Sequence, residues 1–282
     1  MDWLFFAFIP AILFTIYNLL SRVISVNSKN PRAFAVVYSL VGAAVVLPFL
    51  IFQLGSLKSV PTEIILLTFI GTIFYGIFDR FQFFASREIE ASTLAILYRL
   101  TPIATLIASV VFLSEKATTD KVLGTVLIIL GNIIVVAGRK STIKFNRGLV
   151  FALISAITLG LAYTVDKKAS IFYPLAIYTF IQYFFPPIYN LSIPPLSFKI
   201  LRDEITAASW RIWALGLVSI GGYYSLIYAF SKADVSKVVP ISTTSSILTV
   251  IAGAIILKER TNMVKKIIAV LVAFAGVLLI GK

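Results

Sequence analysis

Apolar residues in this chain gather into long runs divided by short charged breaks. The runs cover residues 3–20, 33–52, 64–84, 91–113 and 122–137, then 148–165, 174–194, 210–230, 235–257 and 267–280. Most approach the roughly 20 residues that a helix rising ~1.5 Å per residue needs to cross ~30 Å of hydrocarbon. Lipid offers no partner to a free backbone N–H or C=O, so such runs are expected as helices and not as open strands. The first run has no basic leader and no small-residue cleavage site after it, which reads as a retained helix. The longest loop is expected at 196–209.

The pattern occurs twice. Displaced by 144 residues, Ala85 falls on Ala229, Ser92 on Ser236, Thr105 on Thr249, Ala108 on Ala252 and Glu115 on Glu259, while Lys121 meets Lys265. The chain therefore divides into 1–138 and 148–282, with 139–147 as the connecting loop. Each half carries five runs, an odd number, so the second copy must insert upside down relative to the first. The fold class expected is an all-α integral membrane protein, ten transmembrane helices as two inverted five-helix repeats, and inverted repeats are a transporter signature.

Composition agrees. The chain is 59% hydrophobic and 13% charged, with a mean hydropathy of +0.99, more apolar surface than one soluble core of 282 residues can hide. Histidine and cysteine are both absent, which excludes disulfides, thiolate chemistry and histidine-based metal sites or proton relays. The net charge of +13 lies between the runs, where it orients helices and meets anionic headgroups; nucleic acid is not an expected partner. Sixteen basic residues fall on the loops opposite the termini and eight on the side of the termini, so the positive-inside rule places both termini outside.

Two segments carry a family likeness. Residues 91–116 (ASTLAILYRLTPIATLIASVVFLSEK) and 235–260 (VSKVVPISTTSSILTVIAGAIILKER) both carry a small residue near their start, Ser92 and Ser236, contain a proline, and close on Glu115–Lys116 and Glu259–Arg260. They resemble the paired signatures of EamA-type carriers in the drug/metabolite transporter superfamily. The resemblance spans essentially the whole chain. It implies a ten-helix carrier of the cell membrane that moves small metabolites, often outward, by alternating access. Its relatives handle amino acids, sugars, nucleotide sugars and drugs, so the resemblance leaves the substrate open. One departure is that Pro102 falls on Ser246, while Pro240 sits six residues earlier.

Several residues are candidates for that transport. Arg99 stands inside run four, where an unpaired charge costs ~2.5–3.5 kcal/mol on insertion scales. Counted along the helices, Asp79 and Arg80 of run three lie at its depth. Either Asp79 holds Arg99 until an anionic or zwitterionic substrate competes for the guanidinium, or the two form a permanent pair while Arg80 snorkels to the headgroups. Tyr98 and Thr101 flank Arg99, and the 144-residue offset lays Ser242 on Tyr98 and Thr243 on Arg99. The run of hydroxyls from Ser242 to Ser246 is expected to reach the repeat interface, unless each hydroxyl bonds to its own backbone. Asn18, Tyr75, Tyr163 and Tyr223 complete the substrate-binding set; Asp166 is a weaker candidate for coupling. Glu115 beside Lys116, and Glu259 beside Arg260, read as ion pairs at helix ends.

The best-supported reading is a secondary transporter, an exporter, of small metabolites such as amino acids or related compounds, with a lipid or lipid-linked-sugar flippase as the alternative. An enzyme is disfavoured by the absence of histidine, cysteine, a DxD pair and a phosphate-cradling glycine loop. No cofactor and no metal are called for. The expected partners are the small-molecule substrate and membrane lipid, with the chain a monomer or weak dimer.

Overall fold

The structure is a computed structural model that describes residues 2–25, 28–88, 94, 97–136, 146–192, 196–256 and 263–281. The described residues are helical almost throughout. In chain order the α-helices are α1 (Asp2–Ser25), α2 (Pro31–Gln53), α3 (Thr62–Glu88), α4 (Thr101–Leu113), α5 (Thr119–Val136) and α6 (Arg147–Ala169). They continue as α7 (Leu175–Ser192), α8 (Phe198–Ala208), α9 (Arg211–Lys232), α10 (Val235–Ser242), α11 (Ser245–Ile256) and α12 (Met263–Gly281). Among the described residues, six segments are long and apolar enough to cross a membrane: Trp3–Ser21, Arg32–Ser56, Thr62–Gln82, Arg147–Phe172, Arg211–Lys232 and Val264–Gly281.

Local chemistry sets the boundaries. Asn30 accepts a hydrogen bond from the Ala33 amide at 3.2 Å and Pro31 takes the first helical position, so α2 begins there. Asn146 does the same for α6 through Leu149, at 2.9 Å. The outward surface keeps its apolar side chains: Phe49, Phe52, Val111, Phe112, Leu123 and Leu271 are exposed, as lipid-facing residues should be.

Two expectations need correction. Run nine is not one helix: the chain turns at Thr243–Thr244, where Thr243 N–H still reaches the Val239 carbonyl but Thr244 N–H reaches only Ile241, separating α10 from α11. The stretch 196–209 is not a loop but the amphipathic helix α8, capped by Ser197. Pro102 does not kink a helix, because it stands in the first turn of α4, where its missing N–H has no helical partner to lose. Residues 91–93, 95–96, most of the connecting loop 139–147, and Glu259 with Arg260 lie outside the described residues.

The main helix contacts cross between the halves. α3 packs on α6, α1 on α9, α2 on α7, and α5 on α12. Exchange of the halves turns α1–α9 into α6–α3 and maps the other two pairs onto themselves, so the pairing is two-fold symmetric. Trp3 lies under Lys237, 5.4 Å from its Nζ, and Leu4 beside Gly281, which puts both ends of the chain at one end of the bundle. The α5–α12 contact requires glycine: a Cβ on Gly276 would stand 2.6 Å from the Gly124 carbonyl oxygen and 3.0 Å from the Ile128 nitrogen.

Gly276→Ala should therefore lower the thermal unfolding midpoint in detergent, with a destabilisation of about 1–3 kcal/mol from overpacking against backbone. The same change at Gly55, where a Cβ would meet nothing within 4 Å, should be neutral. Equal midpoints for the two variants would show that the α5–α12 contact is looser than described.

Candidate functional site

The site grows out of the cross-paired helices. Between α1, α2 and α3 on one side and α6, α7, α9 and α11 on the other is a cavity of about 480 Å³. Its wall includes Phe34, Tyr38 and Ser39 from the first turns of α2. Since α1 starts at the end of the bundle that holds the termini, α2 starts at the other end, and the cavity occupies the half of the bundle away from the termini. Nine aromatic rings line it, with Asn18, Gln82, Gln182, Ser219 and Ser245 between them. Among the described lining residues Asp79 is the one formally charged side chain.

Below the cavity, toward the termini, lies a buried carboxylate. Asp166, fully enclosed near the end of α6, accepts hydrogen bonds from three tyrosine hydroxyls: Tyr75 at 2.6 Å, Tyr223 at 2.9 Å and Tyr178 at 2.8 Å. Tyr75 and Tyr223 also line the cavity, so they link its wall to Asp166. Desolvating a carboxylate is costly, and three O–H donors offset that cost without a cation. The next residue, Lys167, donates to the carbonyls of Phe230 and of Ala233, the latter at 3.0 Å, and so pins the end of α9.

The end of the bundle beyond Asp166 is held by charge. The Glu115 carboxylate accepts from the Val235 amide at 2.9 Å, the Ser236 amide at 3.2 Å and the Ser236 hydroxyl, so it caps α10 from the far end of α4. Lys121 at the start of α5 lies 3.9 Å from Glu115 and 2.6 Å from Asp234. The expected pair of Glu115 with its neighbour Lys116 is replaced by this longer-range latch, because the unsatisfied N–H groups at the start of α10 compete for the carboxylate.

Of the residues singled out from sequence, Asn18, Tyr75, Asp79, Tyr163 and Tyr223 line the cavity. The others do not. Tyr98 and Arg99 lie on a short 3₁₀ turn, with the Tyr98 ring 6.4 Å from Phe78. Among the described residues Arg99 makes no ion pair with Asp79, and its Nε and the Thr101 hydroxyl have no hydrogen-bond partner. Arg80 stands over the Phe84 ring, 5.6 Å from its centroid. Ser242 and Thr243 bond to the carbonyls of Val239 and Pro240 at 2.8 and 2.6 Å, and Ser246 to Thr243 at 2.8 Å and to the Asn132 side chain. Those hydroxyls serve their own helix or the neighbouring α5; Ser245 alone of the five reaches the cavity wall.

Sequence reasoning missed Tyr17, Tyr38, Tyr178 and Tyr183. Their signal was the excess of tyrosine itself, 12 in all, in runs where interfacial anchoring would have used fewer.

The profile of the EamA-like transporter family matches the chain twice, over residues 1–137 and 146–282. No curated protein matches it. A protein of known crystal structure superposes with a TM-score of 0.77 at 16% identity, covering 99% of this chain and 96% of its own, a likeness of fold alone.

The Asp166 cluster carries a prediction that needs no substrate. Tyr75→Phe and Tyr223→Phe remove donors to the same Oδ2 and should each destabilise the protein in detergent by about 1–2 kcal/mol. Because the donors share one acceptor, the double variant should depart from additivity by at least ~0.5 kcal/mol. Strict additivity in unfolding measurements would mean that the two hydroxyls act independently.

Proposed function

We propose that this chain, which belongs to the EamA-like transporter family, is a secondary carrier that exports small metabolites such as amino acids or related compounds by alternating access. Membership makes it a multi-pass integral membrane protein. The finer reading is of ten spans in two inverted five-helix repeats, 1–138 and 148–282 joined by 139–147, in the cell membrane and without enzymatic activity. The two-fold symmetric helix pairing supports it, because rocking one repeat against the other then moves every contact at once.

One observation carries the proposal: a cavity between the halves lies in one half of the bundle, and the other end is shut by the Glu115–Lys121–Asp234 latch. A carrier needs a site between two gates that are never open together. The latch is the closed gate. Its bonds join the end of α4 and the start of α5, in the first repeat, to the start of α10, in the second. Opening that end costs these charge-assisted bonds, so a compensating set must form at the other end as the cavity closes. The substrate-facing set is Asn18, Tyr75, Tyr163 and Tyr223 with Asp79, and the unpartnered Nε of Arg99 keeps that residue a candidate for the other conformation. The flippase reading is less well supported, since a carboxylate on the cavity wall disfavours an acyl chain.

The absence of native cysteine allows a direct test. A Ser39→Cys reporter on the cavity wall should react with an impermeant maleimide from one membrane face only. Adding Glu115→Gln and Asp234→Asn should increase its labelling from the opposite face by about tenfold, the equivalent of ~1.4 kcal/mol taken from the closed gate. In proteoliposomes loaded with amino acids, the unmodified protein should release a subset saturably. Lipid scrambling with no solute release would support the flippase instead.

A further inference from the structure

We infer that the cavity is built for an organic cation, an amine or quaternary ammonium on an apolar or aromatic body, with Asp79 as its counter-ion. The inference rests on the carrier reading and names the substrate class for the same site. It starts from charge. Among the described residues the Asp79 carboxylate has no hydrogen bond and no ion pair, yet it borders the cavity of about 480 Å³. Of the basic side chains near it, Arg80 lies over Phe84, Arg32, which shares a narrow adjoining crevice with Asp79, donates to the Asn190 carbonyl at 3.0 Å, and Arg99 does not line the cavity.

This contrasts with the rest of the molecule. Glu115, Asp166 and Glu204 each satisfy at least one carboxylate oxygen with named donors, Glu204 through the amides of Lys29 and Asn30 at 2.9 and 2.7 Å. Asp79 alone of these four is left for something that enters. The surroundings of Asp79 say what that is. Tyr17, Phe34, Tyr38, Phe78 and Tyr183 line the same cavity. Aromatic faces carry negative quadrupole charge and attract a cation, most strongly where water is excluded. A carboxylate-bearing substrate would meet repulsion from Asp79 and no cation on the wall, which sets amines above amino acids. A volume of about 480 Å³ admits a one- or two-ring amine.

The test uses the full chain in detergent and three probes of one size: benzyltrimethylammonium, benzyl alcohol and phenylacetate. Calorimetry should give the cation a Kd at least about tenfold below those of the other two, and Asp79→Asn should remove that preference while leaving benzyl alcohol within about twofold. If Asp79→Asn fails to fold, protection of the Ser39→Cys reporter from maleimide supplies the second readout: benzyltrimethylammonium should protect it and phenylacetate should not. Equal binding of cation and anion, or cation binding unchanged in Asp79→Asn, overturns the inference. Counterflow of labelled benzyltrimethylammonium in proteoliposomes separates the two claims. Asp79-dependent binding without transport leaves the site standing and overturns the carrier; transport of anions or neutral solutes with no cation binding does the reverse.

Discussion

The structure depends on one constraint: inside a membrane a charged or polar group must find its partner within the protein, because neither water nor lipid supplies one. The four acids discussed above show four responses. Glu204 on α8 holds the backbone amides that lead into α2. Glu115 holds the first amides of α10 and shares Lys121 with Asp234. Asp166 takes three tyrosine hydroxyls and no cation. Asp79 takes no partner among the described residues and borders the cavity. Three of these arrangements join helices that are distant in sequence, and the fourth leaves a site.

The same constraint ties the cavity to the latch. Tyr75 and Tyr223 reach from the cavity wall to Asp166. Lys167 beside it holds the carbonyls at the end of α9, and the chain passes through Asp234, bound by Lys121, into α10. Hydrogen bonds and chain neighbours thus join the cavity wall to the Glu115–Lys121–Asp234 cluster by a short path. Tight glycine contacts also join the halves. Gly276 against Gly124 lets the α5 and α12 backbones touch, and Gly160 lets α6 approach α4, where a Cβ would stand 2.9 Å from the Thr105 nitrogen. Both contacts pack a helix of the first half against one of the second, backbone to backbone.

Residue counting along helices gives a level and no direction. Asp79 and Arg99 do share a level by count, but successive helical residues rotate by ~100°, and a 3₁₀ turn at Tyr98–Leu100 resets the face. Likewise the break at Thr243–Thr244 turns Ser245 toward the cavity and leaves Ser242 and Thr243 bonded to their own backbone. Tyr17, Tyr38 and Tyr183 stand on separate helices and meet only at the cavity wall, so nothing in the string groups them.

What the sequence by itself determined was the class of protein: helices of membrane length, a pattern repeated at 144 residues, and signatures at 91–116 and 235–260 that resemble a family to which the chain belongs. Those features are legible because hydrophobic run length and self-similarity are local properties of the string. Only the tertiary structure decided that Asp166 is enclosed by three tyrosines, that Glu115 caps a helix more than a hundred residues away, and that Asp79 is unpartnered. Each of these depends on which helix lies beside which, and at what rotation, and no run of residues encodes its neighbour's angle.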